Sequence, residues 1–286
     1  MLSKYIDEPR MEKLNSRLYR AIDMGLPVSV EKSILDGADV NSAFYGKYLI
    51  QHAAEFGTTE IIKILIKNGA DTNSCLPMMK TALTSSCERG NYDAAFALLM
   101  SGADPNSDRG SPLISSCAIR DTETVKALIS SGANPNLNGI LLNSSPLEAV
   151  CTLGEDWRQS LRSNPKWFMR IVELEKKFYD KKNSNKKKKQ EVEKIYQDFL
   201  DAGTEIICIL IDAGADPNKN APMGRLPLIA AIESENTGAF LSLMCKGADI
   251  DLKIGGDPSP KELMNQKEHF ILLSVAKSFQ PAIKSS

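Results

Sequence analysis

Histidine is nearly absent: His52 and His269 are the only two in 286 residues. That excludes a histidine-rich metal site and leaves two candidate bases for a Cys–His or Ser–His nucleophile pair. Long apolar runs are missing as well. Runs such as 206–211 and 270–273 fall far short of the roughly 18 residues that a bilayer span needs. The N-terminus carries Asp7 and Glu8 and has no apolar stretch, which disfavours a secretory signal. None of the six cysteines forms a CxxC pair. Free thiols in a reducing compartment, and hence a soluble cytoplasmic protein, are the expectation. Net charge is close to nil, with 35 basic against 36 acidic residues. A chain built as a whole to grip a polyanion would need a basic surplus. The apolar share, 42%, is enough for a core and argues against wholesale disorder.

What is present is a repeat. The string Gly-Ala-(Asp/Asn)-x-(Asn/Asp) occurs six times, at 37–41, 69–73, 102–106, 132–136, 214–218 and 247–251. The glycines are spaced by 32, 33, 30, 82 and 33 residues. Upstream of five of them a residue is followed, in most cases, by Pro or an apolar residue and then a small-residue run, at Ser16, Tyr48, Thr81, Ser111 and Leu226, and the distance to the glycine is 21 each time. Ser or Thr before Pro reads as an N-cap and first helical position. The glycine supplies the left-handed conformation past a helix end, and the Asp or Asn two residues on can hold the following turn. Each unit reads as helix, turn, helix and extended finger. Such a unit cannot bury its apolar face alone, and stacking neighbours does so.

These motifs resemble the ankyrin repeat, with Ser111-Pro112-Leu113 and Ser145-Pro146-Leu147 as unit starts and Glu60-Ile61-Ile62 and Glu205-Ile206-Ile207 opening second helices. The resemblance covers roughly residues 16–277. It implies an all-α solenoid of about seven helix-turn-helix units, some 14 helices, with no parallel sheet. Residues 1–15 read as a leader or cap, 16–153 as four repeats plus the first helix of a fifth, and 202–286 as the rest of the fifth, a sixth and a capping unit opened by Ser259-Pro260. Degenerate repeats with a private insertion also look like effectors that intracellular bacteria deliver into host cytosol.

The fifth unit is interrupted. Its start, Ser145, lies 69 residues before Gly214, which leaves 48 extra residues at 154–201. They hold both tryptophans, 13 basic and 9 acidic residues. Asn164-Pro165 opens one helical pattern; Val192, Ile195, Tyr196 and Phe199 carry a second that runs into Ile206. We expect a helical hairpin projecting from the solenoid. Lys186, Lys187, Lys188 and Lys189 invite a nucleic-acid reading, but no aromatic interleaves them as base stacking needs, so a solvated tip is the plainer reading. The insertion has no Cys, no His and no Gly-rich phosphate loop. An enzyme is therefore disfavoured, and no cofactor, metal or small-molecule substrate is expected.

Cys87, Cys117 and Cys151 each lie six residues after a unit start. Buried thiols at a small-residue slot are expected rather than a metal or redox ladder. His52 follows Gln51, which fills the slot where the family usually has its histidine. The resemblance implies a protein partner at the concave face. The fingers read as apolar at 43–45, 76–79, 140–142 and 221–223, rimmed by Lys47, Lys80, Asp108 and Arg225. The expected contact residues are Phe44, Tyr45, Phe56, Met78, Met79, Glu88, Arg89, Arg120, Ile140, Leu141, Met223 and Arg225. A second contact is expected from the insertion through Trp157, Trp167, Phe168, Tyr179, Tyr196 and the four lysines. The chain is expected to act as a monomeric, non-catalytic interaction module.

Overall fold

The structure is a computed structural model that describes residues 8–56, 58–77, 79–139, 144–152, 167, 169–170, 172–173, 185–220 and 225–266. Thirteen helices run along the described chain: α1 (Glu8–Asp23), α2 (Pro27–Leu35), α3 (Leu49–Phe56), α4 (Thr59–Lys67), α5 (Ala82–Glu88), α6 (Tyr92–Met100), α7 (Ser107–Ala118), α8 (Thr122–Ser130), α9 (Pro146–Cys151), α10 (Asn185–Asp212), α11 (Pro227–Glu233), α12 (Thr237–Cys245) and α13 (Pro260–Gln266). The first helices of successive units, α3, α5, α7, α9 and α11, pack side by side as an inner layer. The second helices, α2, α4, α6, α8, α10 and α12, form the outer layer. The core lies between the layers and is continuous from Leu18 to Met264.

The recurring string folds the same way each time. Its glycines take φ between 85° and 100°, where a side chain on the backbone is strained. The alanine N–H then closes onto the carbonyl five residues back, as Ala70 does to Leu65 and Ala133 to Leu128, both at 3.0 Å. This is the Schellman ending of a helix. The next Asp or Asn accepts from the N–H two residues on, for example Asp71 from Asn73 at 2.9 Å. The last Asn spans to the following unit. Asn73 donates to the Gly102 carbonyl (2.9 Å) and accepts from the Asp104 N–H (2.8 Å). Asn136 makes the same pair of bonds to Gly214 and Asp216, at 2.7 and 3.1 Å. The ladder thus keeps its register across the 82-residue gap between glycines. At the other end Asn15 accepts from Asp39 N–H (2.8 Å) and supplies the first rung.

Some unit starts are capped as the sequence predicts, whereas Ser16 lies inside α1 and the Ser111 hydroxyl donates to the Asp108 carbonyl. Thr81 accepts from the Thr84 N–H and Ser145 from the Glu148 N–H, and Pro27, Pro146 and Pro227 occupy first helical positions. One boundary differs from expectation, and another runs on as the sequence pattern predicts. Residues 8–15 are the first half of α1 rather than a leader, because Leu14 and Leu18 lie on one helical face and pack on the core. The second insert helix is continuous with the outer helix of the fifth unit. α10 has 28 residues where its neighbours α4, α6, α8 and α12 have nine. The only strands among the described residues are β1 (Ala43–Phe44) and β2 (Lys47–Tyr48), a two-residue hairpin at the first finger. Among the described residues no helix is long and apolar enough to cross a membrane.

Candidate interaction face

The inner helices and fingers present one face, and its best-built part lies at the first two units. The hairpin turn puts Tyr45 at φ 49° and Gly46 at φ 76°. A non-glycine residue in that region carries strain, and here the turn holds the Tyr45 ring outward, 88% exposed. Its ring still meets Tyr19, at 5.4 Å between centroids. Tyr19 stacks on Phe44 at 5.5 Å and on His52 at 4.6 Å, and His52 meets Phe56 at 4.4 Å. The His52 Nε2 lies 3.2 Å from Asp23. Burial pushes the His52 pKa below its ordinary value, opposed by the Asp23 carboxylate. The neutral ring is favoured, so His52 serves as one plate of an aromatic stack. Gln51 holds the finger base, accepting from the Tyr48 N–H and donating to the Lys80 carbonyl.

Beside the stack runs a row of ion pairs with one spacing. Lys47 pairs with Glu55, Lys80 with Glu88 (2.6 Å) and Arg225 with Glu233. Each joins the residue before a unit start to the acid eight positions on. The fourth and fifth units have Gly110 with Ala118 and Ser144 with Thr152 in those places. The row is therefore charged in the second, third and sixth units and neutral between. Exposed pairs of this kind contribute little to stability, at most about 1 kcal/mol, so their value to a partner is not set by folding. A groove of about 300 Å³ opens here, lined by Glu55, Met79, Lys80, Ser85, Glu88 and Arg89.

Of the expected contact residues, Phe44, Tyr45, Phe56, Met79, Glu88 and Arg89 are brought together on this face. Arg225 sits three units beyond the third with Glu233, its backbone N–H held by the buried Glu148 at 3.1 Å. Met78, Ile140, Leu141, Met223, Trp157, Phe168 and Tyr179 lie outside the described residues. Lys186, Lys187, Lys188 and Lys189 fall on the first turns of α10. Asp108, expected at the rim, turns inward instead. Its carboxylate accepts from the Thr81 N–H (2.9 Å) and the Thr84 hydroxyl (2.5 Å), reinforcing the cap of α5.

Arg120 and Trp167 also depart from expectation. Arg120 is 3% exposed and cannot meet a partner. It adopts φ 54° at the inter-helix slot where the third unit has Gly90, at φ 62°. The guanidinium lies 4.1 Å over the Phe199 ring and donates to the Val150 carbonyl at 2.9 Å. Burial lowers its pKa to about 10. Trp167, 5% exposed, meets Phe199 edge-on at 5.5 Å and carries Arg170 at 5.1 Å on its own ring. The stack runs Arg120, Phe199, Trp167, Arg170, with a cation closing each end of an aromatic pair. Sequence reasoning missed Phe199 as the centre of this stack. The available signal was Arg120 itself, an arginine in a slot that the other units fill with glycine except the sixth, which has Glu235.

Cys87, Cys117 and Cys151 are buried and unpaired with one another. Burial pushes the Cys87 and Cys151 thiols up to about 12 and raises Cys117 further. At pH 8 all three should therefore resist a thiol reagent until the chain unfolds, while the exposed Cys245 reacts at once. Protection is favoured by the neutral form, so it should hold below about pH 9 and stability should fall as pH rises from there towards 12. Rapid native-state labelling of the three would refute their burial. Among the described residues no cluster of three or more His, Cys, Asp or Glu could hold a metal ion.

Comparison with known proteins supports the repeat reading. A family model for ankyrin repeats, in three copies, matches residues 18–109 and 50–139. Residues 18–139 thus match ankyrin repeats. The Caenorhabditis elegans "Ankyrin repeat and KH domain-containing protein mask-1" is 33% identical over 95 residues, 33% of this chain. That match spans only 4% of the nematode protein's length. The crystal structure of an ankyrin repeat domain from Acinetobacter baumannii superposes with a TM-score of 0.59 at 21% identity, covering 81% of this chain and 98% of that one. The architecture is thus an all-α ankyrin solenoid, and ankyrin repeats are generally protein–protein interaction modules.

Proposed function

We propose that this chain is a non-catalytic module that binds a partner protein through the finger and inner-helix face of its second and third repeats. One observation carries the reading: a pre-built stack of Tyr19, Phe44, Tyr45, His52 and Phe56 that leaves Tyr45 almost fully exposed on a strained turn. A ring held away from the core by strain contributes nothing to folding that a smaller residue would not. Aromatic anchors beside charge, here the Lys47–Glu55 and Lys80–Glu88 pairs, are the usual composition of a binding hot spot. Because the rings are already ordered, little conformational entropy is lost on association.

For the inserted segment, the inward stack of Trp167, Phe199 and Arg120 favours a buttress over a contact at those residues. A second contact would then rest on Tyr196 and the lysines at the start of α10.

The test is a pair of substitutions. Tyr45→Glu with Met79→Glu should abolish partner binding, at least a hundredfold loss or about 2.8 kcal/mol, with the melting temperature nearly unchanged. Binding that survives the pair would remove this face from the reading. A protein that no longer folds would place those side chains in the core instead.

A further inference from the structure

The outer layer carries a second surface that repeat register exposes. Three positions recur in one register on the outer helices. In the second unit they are Thr59, Lys63 and Lys67; in the fourth Thr122, Lys126 and Ser130; in the fifth Thr204, Cys208 and Asp212; in the sixth Thr237, Leu241 and Cys245. The third unit has Tyr92, Phe96 and Met100 in the same register, and Met100 is 72% exposed. Tyr92 and Phe96 stack at 5.7 Å. No other unit places large apolar side chains at all three positions. Nothing in the fold needs them, because the core side of α6 is supplied by Ala94, Ala95, Leu98 and Leu99.

Charge around the stripe is ordered along the helix. At the Tyr92 end stand the exposed acids Glu60, Asp93 and Glu123. Towards the Met100 end stand the exposed Lys63, level with Phe96, and Lys67, level with Met100, neither of which has an ion-pair partner among the described residues. A polypeptide helix ordinarily carries acids in its first turn and bases in its last, matching its own dipole. Laid antiparallel on α6, such a helix would set its acidic start against Lys63 and Lys67 and its basic end against Glu60, Asp93 and Glu123. Laid parallel, it would meet like charge at both ends. A second copy of this chain fits less well, since antiparallel pairing would face Lys63 with its own counterpart.

From this we infer that Tyr92, Phe96 and Met100 form a docking site for an amphipathic helix of a partner protein, bound antiparallel to α6 through an apolar stripe with an acidic N-terminal turn and a basic C-terminal turn. The site lies on the opposite layer from the finger face, so the two can be occupied independently.

Two stapled helical peptides of about 14 residues, long enough to overlie α6, test it. Both carry leucines at i, i+4 and i+8; one has Glu in its first turn and Lys in its last, and the other has those charges exchanged. Net charge and apolar content are identical, so non-specific adhesion is the same for both. The first peptide should bind the full chain about tenfold more tightly, a difference near 1.4 kcal/mol. The preference should vanish in Lys63→Glu/Lys67→Glu. Affinity should drop at least tenfold in Tyr92→Thr/Phe96→Lys/Met100→Lys, which gives the third unit the outer row of the second and leaves its core untouched. Tyr45→Glu/Met79→Glu should change neither result. Equal binding of the two peptides, no binding of the first, or undiminished binding to the triple variant would overturn the proposal. So would reversible self-association of the unsubstituted chain in sedimentation that the triple variant loses, since the stripe would then be a contact between copies.

Discussion

Phe199→Ala is expected to lower the free energy of unfolding by roughly 3–5 kcal/mol, the usual cost of emptying a fully buried phenylalanine site. Phe199 is completely buried and is the shared neighbour of two groups that have no substitute for it. On one side Arg120 lays its guanidinium 4.1 Å from the ring; on the other Trp167 presents an edge at 5.5 Å. Truncation removes the ring and also strips the π-face from a buried cation, whose desolvation is then less compensated. Urea denaturation followed by circular dichroism measures the loss. Gln197→Ala, on the exposed side of the same helix, is the control and should stay within about 0.5 kcal/mol of the parent. A loss below about 1 kcal/mol for Phe199→Ala, well under the range for buried rings, would mean that the extension of α10 does not buttress the solenoid.

Gly203→Ala is expected to destabilise the chain by about 1–2 kcal/mol, the opposite of what helix propensity alone gives. In a helix interior alanine is better than glycine by roughly 1 kcal/mol, so an unobstructed site would be stabilised. At Gly203 a Cβ would lie 2.6 Å from the Arg120 Nε and 3.3 Å from its Cζ. The arginine cannot swing aside, because it is locked beneath Phe199 and bonded to the Val150 carbonyl. Overpacking of this kind costs about 1–3 kcal/mol, enough to reverse the sign. The double-mutant cycle is the decisive measurement. With Arg120→Ala already in place the obstruction is gone, and Gly203→Ala should then stabilise by about 0.5–1 kcal/mol. Stabilisation in the parent background would show that α10 does not press on Arg120.

These two substitutions mark where the sequence stops being sufficient. The repeat units, their caps and their register are local: a glycine forced to positive φ, a threonine or serine accepting an N–H three residues on, an asparagine reaching the next turn. Each needs only neighbours in the chain or in the adjoining unit, so a constant 21-residue spacing is enough to find them. That Asn136 bonds Gly214 follows from the same spacing once the extra residues are subtracted. The partner face was legible in part, since apolar fingers stand out by composition. What composition could not show is that Tyr19, from the first helix, joins Phe44, Tyr45 and His52 into one stack, or that Asp108 and Arg120 turn inward.

By itself, then, the sequence determined the fold class, the register of the repeated string and the burial of Cys87, Cys117 and Cys151, because all of these are set by interactions that recur at fixed spacing. Only the tertiary structure decided which side chains are left exposed. Arg120 and Trp167 have the composition of a binding site but are used up by packing against Phe199, while the neighbouring helices leave Tyr92, Phe96 and Met100 outside. Whether an aromatic or an arginine is buried depends on which element lies across from it, and that element comes from a unit or an insertion tens of residues away, beyond the reach of any local pattern.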